Sequence, residues 1–161
     1  GIRIGRSVDR ILADHPACAD VSQQRASHEP HEAAGTEIDP YPAYLPPGAE
    51  GEQFAATICR DTIINAGVEF SFEVGTASAW GGTFSVVRMR GDHSVPAIWT
   101  TDRLRAIEVD GRRAVLVEPL TQDGWGRAAL YVHEAWGVTL VQAANLTSDE
   151  MIKIAESLSR R

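Results

Sequence analysis

The chain has 161 residues, 43% of them hydrophobic and 23% charged, close to the balance of a globular domain. That length suits one domain, or one domain with a tail, and is long enough to bury a real core. A net charge of −7 argues against a nucleic-acid or anionic-membrane binder, which needs a basic surface.

The opening Gly1-Ile2-Arg3-Ile4-Gly5 lacks the apolar stretch of a signal peptide, which fits the mature part of an exported protein whose anchor or leader has been removed. Ser7 to Asp14 predicts a short helix. Ser7 caps its first amides, Ile11 and Leu12 give it an apolar face, and Pro16 ends it. From Ala19 to Glu52 the chain is polar, with prolines at 30, 40, 42, 46 and 47. Tyr41 to Gly48 should be extended, a strap that covers a core with its tyrosines and leucine. Gln53 to Asn65 fits neither helical nor strand periodicity, and reads as a short helix or a bent strand.

A clear strand signal begins at Val68, where Val68, Phe70, Phe72 and Val74 alternate with Glu69, Ser71 and Glu73. A small-residue turn over 75–82 precedes a second strand over Thr83–Arg90, with a bulge expected at Val86-Val87. Leu104–Val109 and Arg113–Glu118 flank Asp110-Gly111, a favoured two-residue hairpin turn because both positions need positive φ. Ala128–His133 and Val138–Ala143 form the next pair, so 104–143 predicts an antiparallel meander. Thr147-Ser-Asp-Glu150 is a capping box, with Leu146 and Met151 as its hydrophobic staple. Met151, Ile154, Ala155 and Leu158 then share the helix face that docks on the sheet.

The predicted fold is α+β: an antiparallel meander sheet of about six strands, a C-terminal helix on one face, and an irregular Pro-rich N-terminal segment. Composition divides the chain near residue 58. Residues 1–58 hold nine acids and four arginines, a net of −5, and should pack on a core formed by 59–161, whose net is −2.

Most catalytic signatures are missing. No phosphate loop, nucleophile elbow or zinc-protease motif occurs. Asp92-His93-Ser94 cannot be a relay, because adjacent side chains diverge. Lys153, the single lysine, belongs to a charged helix face. Cys18 and Cys59 pair as a disulfide if the protein is exported. Alternatively, His15, Cys18, His28 and His31 have spacings compatible with a zinc or copper site, and Cys18 cannot serve both. Trp80, Trp99, Trp125 and Trp136 fall in or beside predicted loops. Clustered at one end of the sheet they would bind a sugar or a small apolar ligand; dispersed, they plug the ends of the core.

The segments Val109–Val117, Leu130–Leu140 and Asn145–Leu158 follow a pattern similar to the C-terminal part of bacterial extracytoplasmic domains of unknown function. Those domains occur in lipoproteins and in anti-sigma regulators, and their architecture is related to periplasmic lipoprotein carriers. The resemblance covers about 104–158 and rests on structural motifs, so it carries no catalytic residue. It implies a curved antiparallel sheet packed by a helix, periplasmic or at the cell surface, that binds or senses. The functional expectation is a non-enzymatic envelope module without a cofactor, whose partner is an envelope protein or a small ligand. The alternatives are a structural subunit of an envelope assembly and a metal-binding module.

Overall fold

The structure, a computed structural model, describes residues 18, 21–73, 81–91, 95 and 98–158. The predicted Ser7–Asp14 helix, His15, the turn with Trp80, and Asp92-His93-Ser94 lie outside these residues.

The described residues form one sheet of eight strands. They are β1 (Gln24–Ser27), β2 (Glu50–Cys59), β3 (Thr62–Phe72), β4 (Gly82–Arg90), β5 (Leu104–Val109), β6 (Arg112–Val117), β7 (Arg127–His133) and β8 (Gly137–Ala144). Every neighbouring pair is antiparallel, in the order β1-β2-β3-β4-β8-β7-β6-β5. Two four-strand meanders therefore meet at β4 and β8, and helix α1 (Ser148–Glu156) follows the second. Asp110 and Gly111 take the positive φ values, 59° and 81°, that their turn requires.

The strand count is eight rather than about six. The two additional strands, β1 and β2, lie in the stretch read as irregular or ambiguous. β1 is a short polar edge strand, so no apolar alternation marks it. In β2 the inward residues are Phe54, Ala56 and Ile58, and register shifts at Glu50/Gln53 and Thr57/Ile58 break the period of two. The sheet thus begins at Gln24, and residue 58 falls within β2. The bulge expected at Val86-Val87 is absent, since β4 keeps one register with both β3 and β8. Val86 and Val87 point to opposite faces, and each meets an apolar cluster.

One face of the sheet, the inner face, carries the main core. Phe84, Val86, Leu116, Leu130 and Val141 are buried there against Met151, Ile154, Ala155 and Leu158 of α1 and its end. Each of these side chains larger than alanine contributes roughly 1.5–3 kcal/mol. Phe70 and Phe84 are cross-strand partners, and their rings stack at 5.0 Å between centroids. The helix covers the β5–β8 side of this face.

The strap covers the other side. Ala33 and Ile38 are fully buried, Tyr41 stacks on Phe54, and Tyr44 and Ala49 pack on the main core. Asp39 braces the strap from within, accepting hydrogen bonds from the amides of Gly35 and Tyr41. Its far end docks on the helix. The Ala43 amide donates to the Ser157 carbonyl, and the Tyr44 hydroxyl donates to the Glu150 carboxylate. The capping box is therefore half formed: Thr147 Oγ1 accepts from the Glu150 amide at 3.2 Å, but the Glu150 side chain turns to Tyr44.

This clasp has a pH signature. The Glu150 hydrogen bond, then burial, pushes the Tyr44 hydroxyl from 10.0 up to about 12. A phenol raised on folding stabilises the protein fully below its ordinary pKa, and that contribution disappears as pH rises through the folded value. Tyr44→Phe should thus melt lower by about 1 kcal/mol at neutral pH and lose less stability than the parent between pH 10 and 12. Identical alkaline melting profiles for the two proteins would count against the clasp.

Gly137 opens β8 where a side chain has no room. A Cβ there would sit 1.9 Å from the Met89 carbonyl oxygen on β4. Gly137→Ala is expected to cost about 1–3 kcal/mol in urea unfolding, since the obstructing atom is backbone. Wild-type stability in that variant would mean that the β4–β8 seam yields easily.

Candidate functional site

The opposite, open face is built from three residue rows that run across the strands. The first row is polar: Gln53 pairs with Glu69, Glu69 with Ser85, and Ser85 with Gln142. Two residues further along each strand lies an apolar row of Ala55, Gly67, Val87 and Leu140. On the other side of the polar row are Ser71, Thr83, Ala144 and Arg127. Pleating sends alternate residues to one face, which explains why Glu69 and Ser71 alternate with buried Val68, Phe70 and Phe72.

Described residues of the connection from β4 to β5 cover part of this face. Val95, Trp99 and Leu104 pack on a second apolar cluster of Val117, Ala129, Tyr131, Val138 and Leu140. Trp99 Nε1 donates to the Tyr131 hydroxyl at 3.1 Å, and the Arg103 guanidinium lies 5.4 Å from the Trp99 ring centroid. Burial is the main cause that raises the Tyr131 hydroxyl pKa. Over β2–β4 and the near edge of β8 no described residue covers the face.

What remains is a trough. A cavity of about 340 Å³ lies between Ile98, Trp99, Arg127, Gln142, Ser85 and Glu69. A shallower one of about 580 Å³ continues over Ala55, Gly67 and Val87 to His28. The two share Glu69 and Ser85. Ile98 stands at the rim with 73% of its surface exposed.

Of the four tryptophans, Trp80 lies outside the described residues, and the other three make no ring contact with one another. Trp99 lines the trough. Trp136 sits in the β7–β8 turn, with the Arg88 guanidinium 5.0 Å from its ring centroid. Trp125 is exposed in the loop before β7, so it and Trp136 flank opposite ends of that strand. Loops joining antiparallel strands alternate between the two ends of a sheet, which is why adjacency to loops did not bring the rings together.

Of the alternative metal set, His15 lies outside the described residues. Cys18 and Cys59 form a disulfide, with Cα atoms 5.5 Å apart, packed on Ile64. A disulfide sulfur has no thiolate to offer a metal. His28 Nδ1 lies 3.3 Å from the Phe54 carbonyl, and His31 is an exposed partner of Glu29 at 3.5 Å. No three His, Cys, Asp or Glu side chains among the described residues converge to hold a metal.

Sequence reasoning missed a buried charge cluster on the inner face. Arg88 is wholly buried. Its Nε donates to Thr139 Oγ1 at 3.0 Å, its Nη1 to the Asp39 carbonyl at 3.1 Å, and its Nη2 contacts Glu134 at 3.5 Å. Glu134 Oε1 also accepts from Arg112 and from Thr139. Burial pushes the Arg88 guanidinium below its ordinary value, while Glu134 pulls it back. Next to it Arg90 reaches the Ile63 carbonyl and pairs with Glu37, whose carboxyl is held below the usual carboxylate range by that hydrogen bond. These two arginines hold the strap down. The available signal was Arg88 in the inward register of Phe84 and Val86, a charge where the period requires an apolar residue.

The chain matches no protein-family model, no curated protein and no solved structure.

Proposed function

We propose that this chain is a non-enzymatic binding or sensory module of a bacterial envelope protein, acting outside the cytoplasm through the open face of its sheet. The carrying observation is the asymmetry of coverage. Helix and strap fill the inner face, while a trough stands open beside Trp99 and across β2–β4. The disulfide supports an oxidising compartment, as does the pattern of 104–158. No helix of the described residues is long and apolar enough to cross a membrane.

The reading as a structural subunit has less support. It needs the Pro-rich segment free to hold a neighbour, yet Ile38, Tyr41 and Tyr44 are engaged with their own chain.

The test titrates the isotope-labelled chain with bacterial envelope extract separated into polysaccharide, lipid and peptide fractions. The expected result is amide shift changes at Ala55, Ser85 and Gln142 with one fraction, and none at Tyr41 or Tyr44. Changes confined to the strap would favour assembly instead, and an open face silent to all three fractions would overturn the proposal.

A further inference from the structure

We infer that the trough takes a neutral, linear oligosaccharide segment of a glycan, laid across the strands. This rests on the reading of the open face as the binding surface.

Geometry comes first. Adjacent strands lie about 4.8 Å apart, so the row Gln53, Glu69, Ser85, Gln142 offers polar groups at that interval over roughly 14 Å. Ala55, Gly67 and Val87 run parallel to it, about 7 Å away along the strands. A pyranose has apolar C–H faces and a rim of hydroxyl groups. A chain of them, seated between the two rows, meets apolar surface on one side and hydrogen-bonding groups on the other. Trp99 stands at the β8 end, where an aromatic ring stacks on a sugar face.

Availability comes next. The side chains of Gln53, Glu69, Ser85 and Gln142 make no hydrogen bond or ion pair with another described residue. Gln53, Glu69 and Gln142 are exposed. Amides and a hydroxyl both donate and accept, as a hydroxyl-rich ligand requires.

Charge and shape exclude the competitors. Glu69 lies in the floor and Glu52 borders it at the β2 end, so an anionic glycan would be repelled over β2 and β3, with Arg127 the cation at the far end. An acyl chain needs an enclosed apolar pocket, and this trough is open with a polar floor. A peptide that extends a sheet pairs with an edge strand, whereas the trough lies on a face.

The experiment measures binding of the whole chain to neutral linear gluco- and N-acetylglucosamine oligosaccharides of increasing length, by calorimetry and amide shifts. Affinity should rise with length until the ligand spans roughly 14 Å, then level off. Gln142→Ala and Ser85→Ala should each weaken binding about tenfold, the loss of a hydrogen bond or two, with unchanged melting. Trp99 also packs on Tyr131, so these two positions, not Trp99, decide the matter. Affinity independent of length, or indifferent to both substitutions, would overturn the inference. A fatty acid that shifts Ser85 and Gln142 when the oligosaccharides do not would overturn the ligand class and leave the binding-module reading standing. Silence of the open face to every probe and every envelope fraction would end both.

Discussion

Glu134→Ala is expected to destabilise the fold by about 3–5 kcal/mol, read as a lower urea midpoint at unchanged slope. The side chains of Arg88 and Glu134 are 0% and 7% exposed. Removing the carboxylate takes an anionic partner from the buried Arg88 guanidinium, whose bonds to Thr139 Oγ1 and the Asp39 carbonyl are to neutral acceptors. It also deprives Arg112, whose Nη2 is already buried without a hydrogen-bond partner. The cost is the uncompensated charge, not the intrinsic worth of the pair. Arg88→Met combined with Glu134→Ala should therefore be more stable than Glu134→Ala alone, because methionine fills the volume without a charge. Melting of the strap should follow, since Arg88 holds Asp39. A loss under about 1 kcal/mol for Glu134→Ala would sink the view that this cluster holds the strap to the sheet.

Removing the disulfide is the second large effect. Cys18→Ser with Cys59→Ser should cost about 4 kcal/mol, from a bridge that spans a sequence separation of 41. The bridge fixes the residues ahead of β1 to the end of β2, next to the β2–β3 turn. β1 is a four-residue edge strand that pairs with β2 and is tied by Arg25 and Ser27 to Glu32, a short attachment that the bridge reinforces. Amide exchange should accelerate first over Gln24–Ser27 and last over β4 and β8. Equal melting temperatures with and without reductant would show that the sheet holds the N-terminal part unaided.

The two effects act at different places along the sheet. One anchors the strap from the centre of the sheet; the other ties down its first edge. Neither substitutes a residue that lines the trough, so a ligand titration at low temperature separates stability from binding.

Much of the second half of the fold was legible in the residues. β3 through β8 and α1 each carry their own signal: alternation along Val68–Phe72, Asp110-Gly111 between two strands, Thr147 to Glu150 before an apolar face. The first half was not legible to the same degree. Ala26, Ala55 and Ala56 have weak strand preference, and the shifts in β2 break the period that would reveal it. The candidate site was legible only in part. Trp99 and His28 were singled out from sequence, for other partners than the ones they have. The row Gln53, Glu69, Ser85, Gln142 is invisible along the chain, because its members are 16, 16 and 57 positions apart.

By itself the sequence determined which segments from Val68 onward are strands, which face of each is apolar, where the last helix begins, and that two cysteines and many prolines mark the first part. Those are local properties, set by side-chain periodicity, caps and turns within a few residues. Tertiary structure alone decided that β4 meets β8, that the strap covers the inner face, that Glu150 turns to Tyr44, and that Cys18 is closed in a disulfide. Each depends on contacts between residues far apart in the chain, where register and burial choose among partners that local chemistry leaves equivalent.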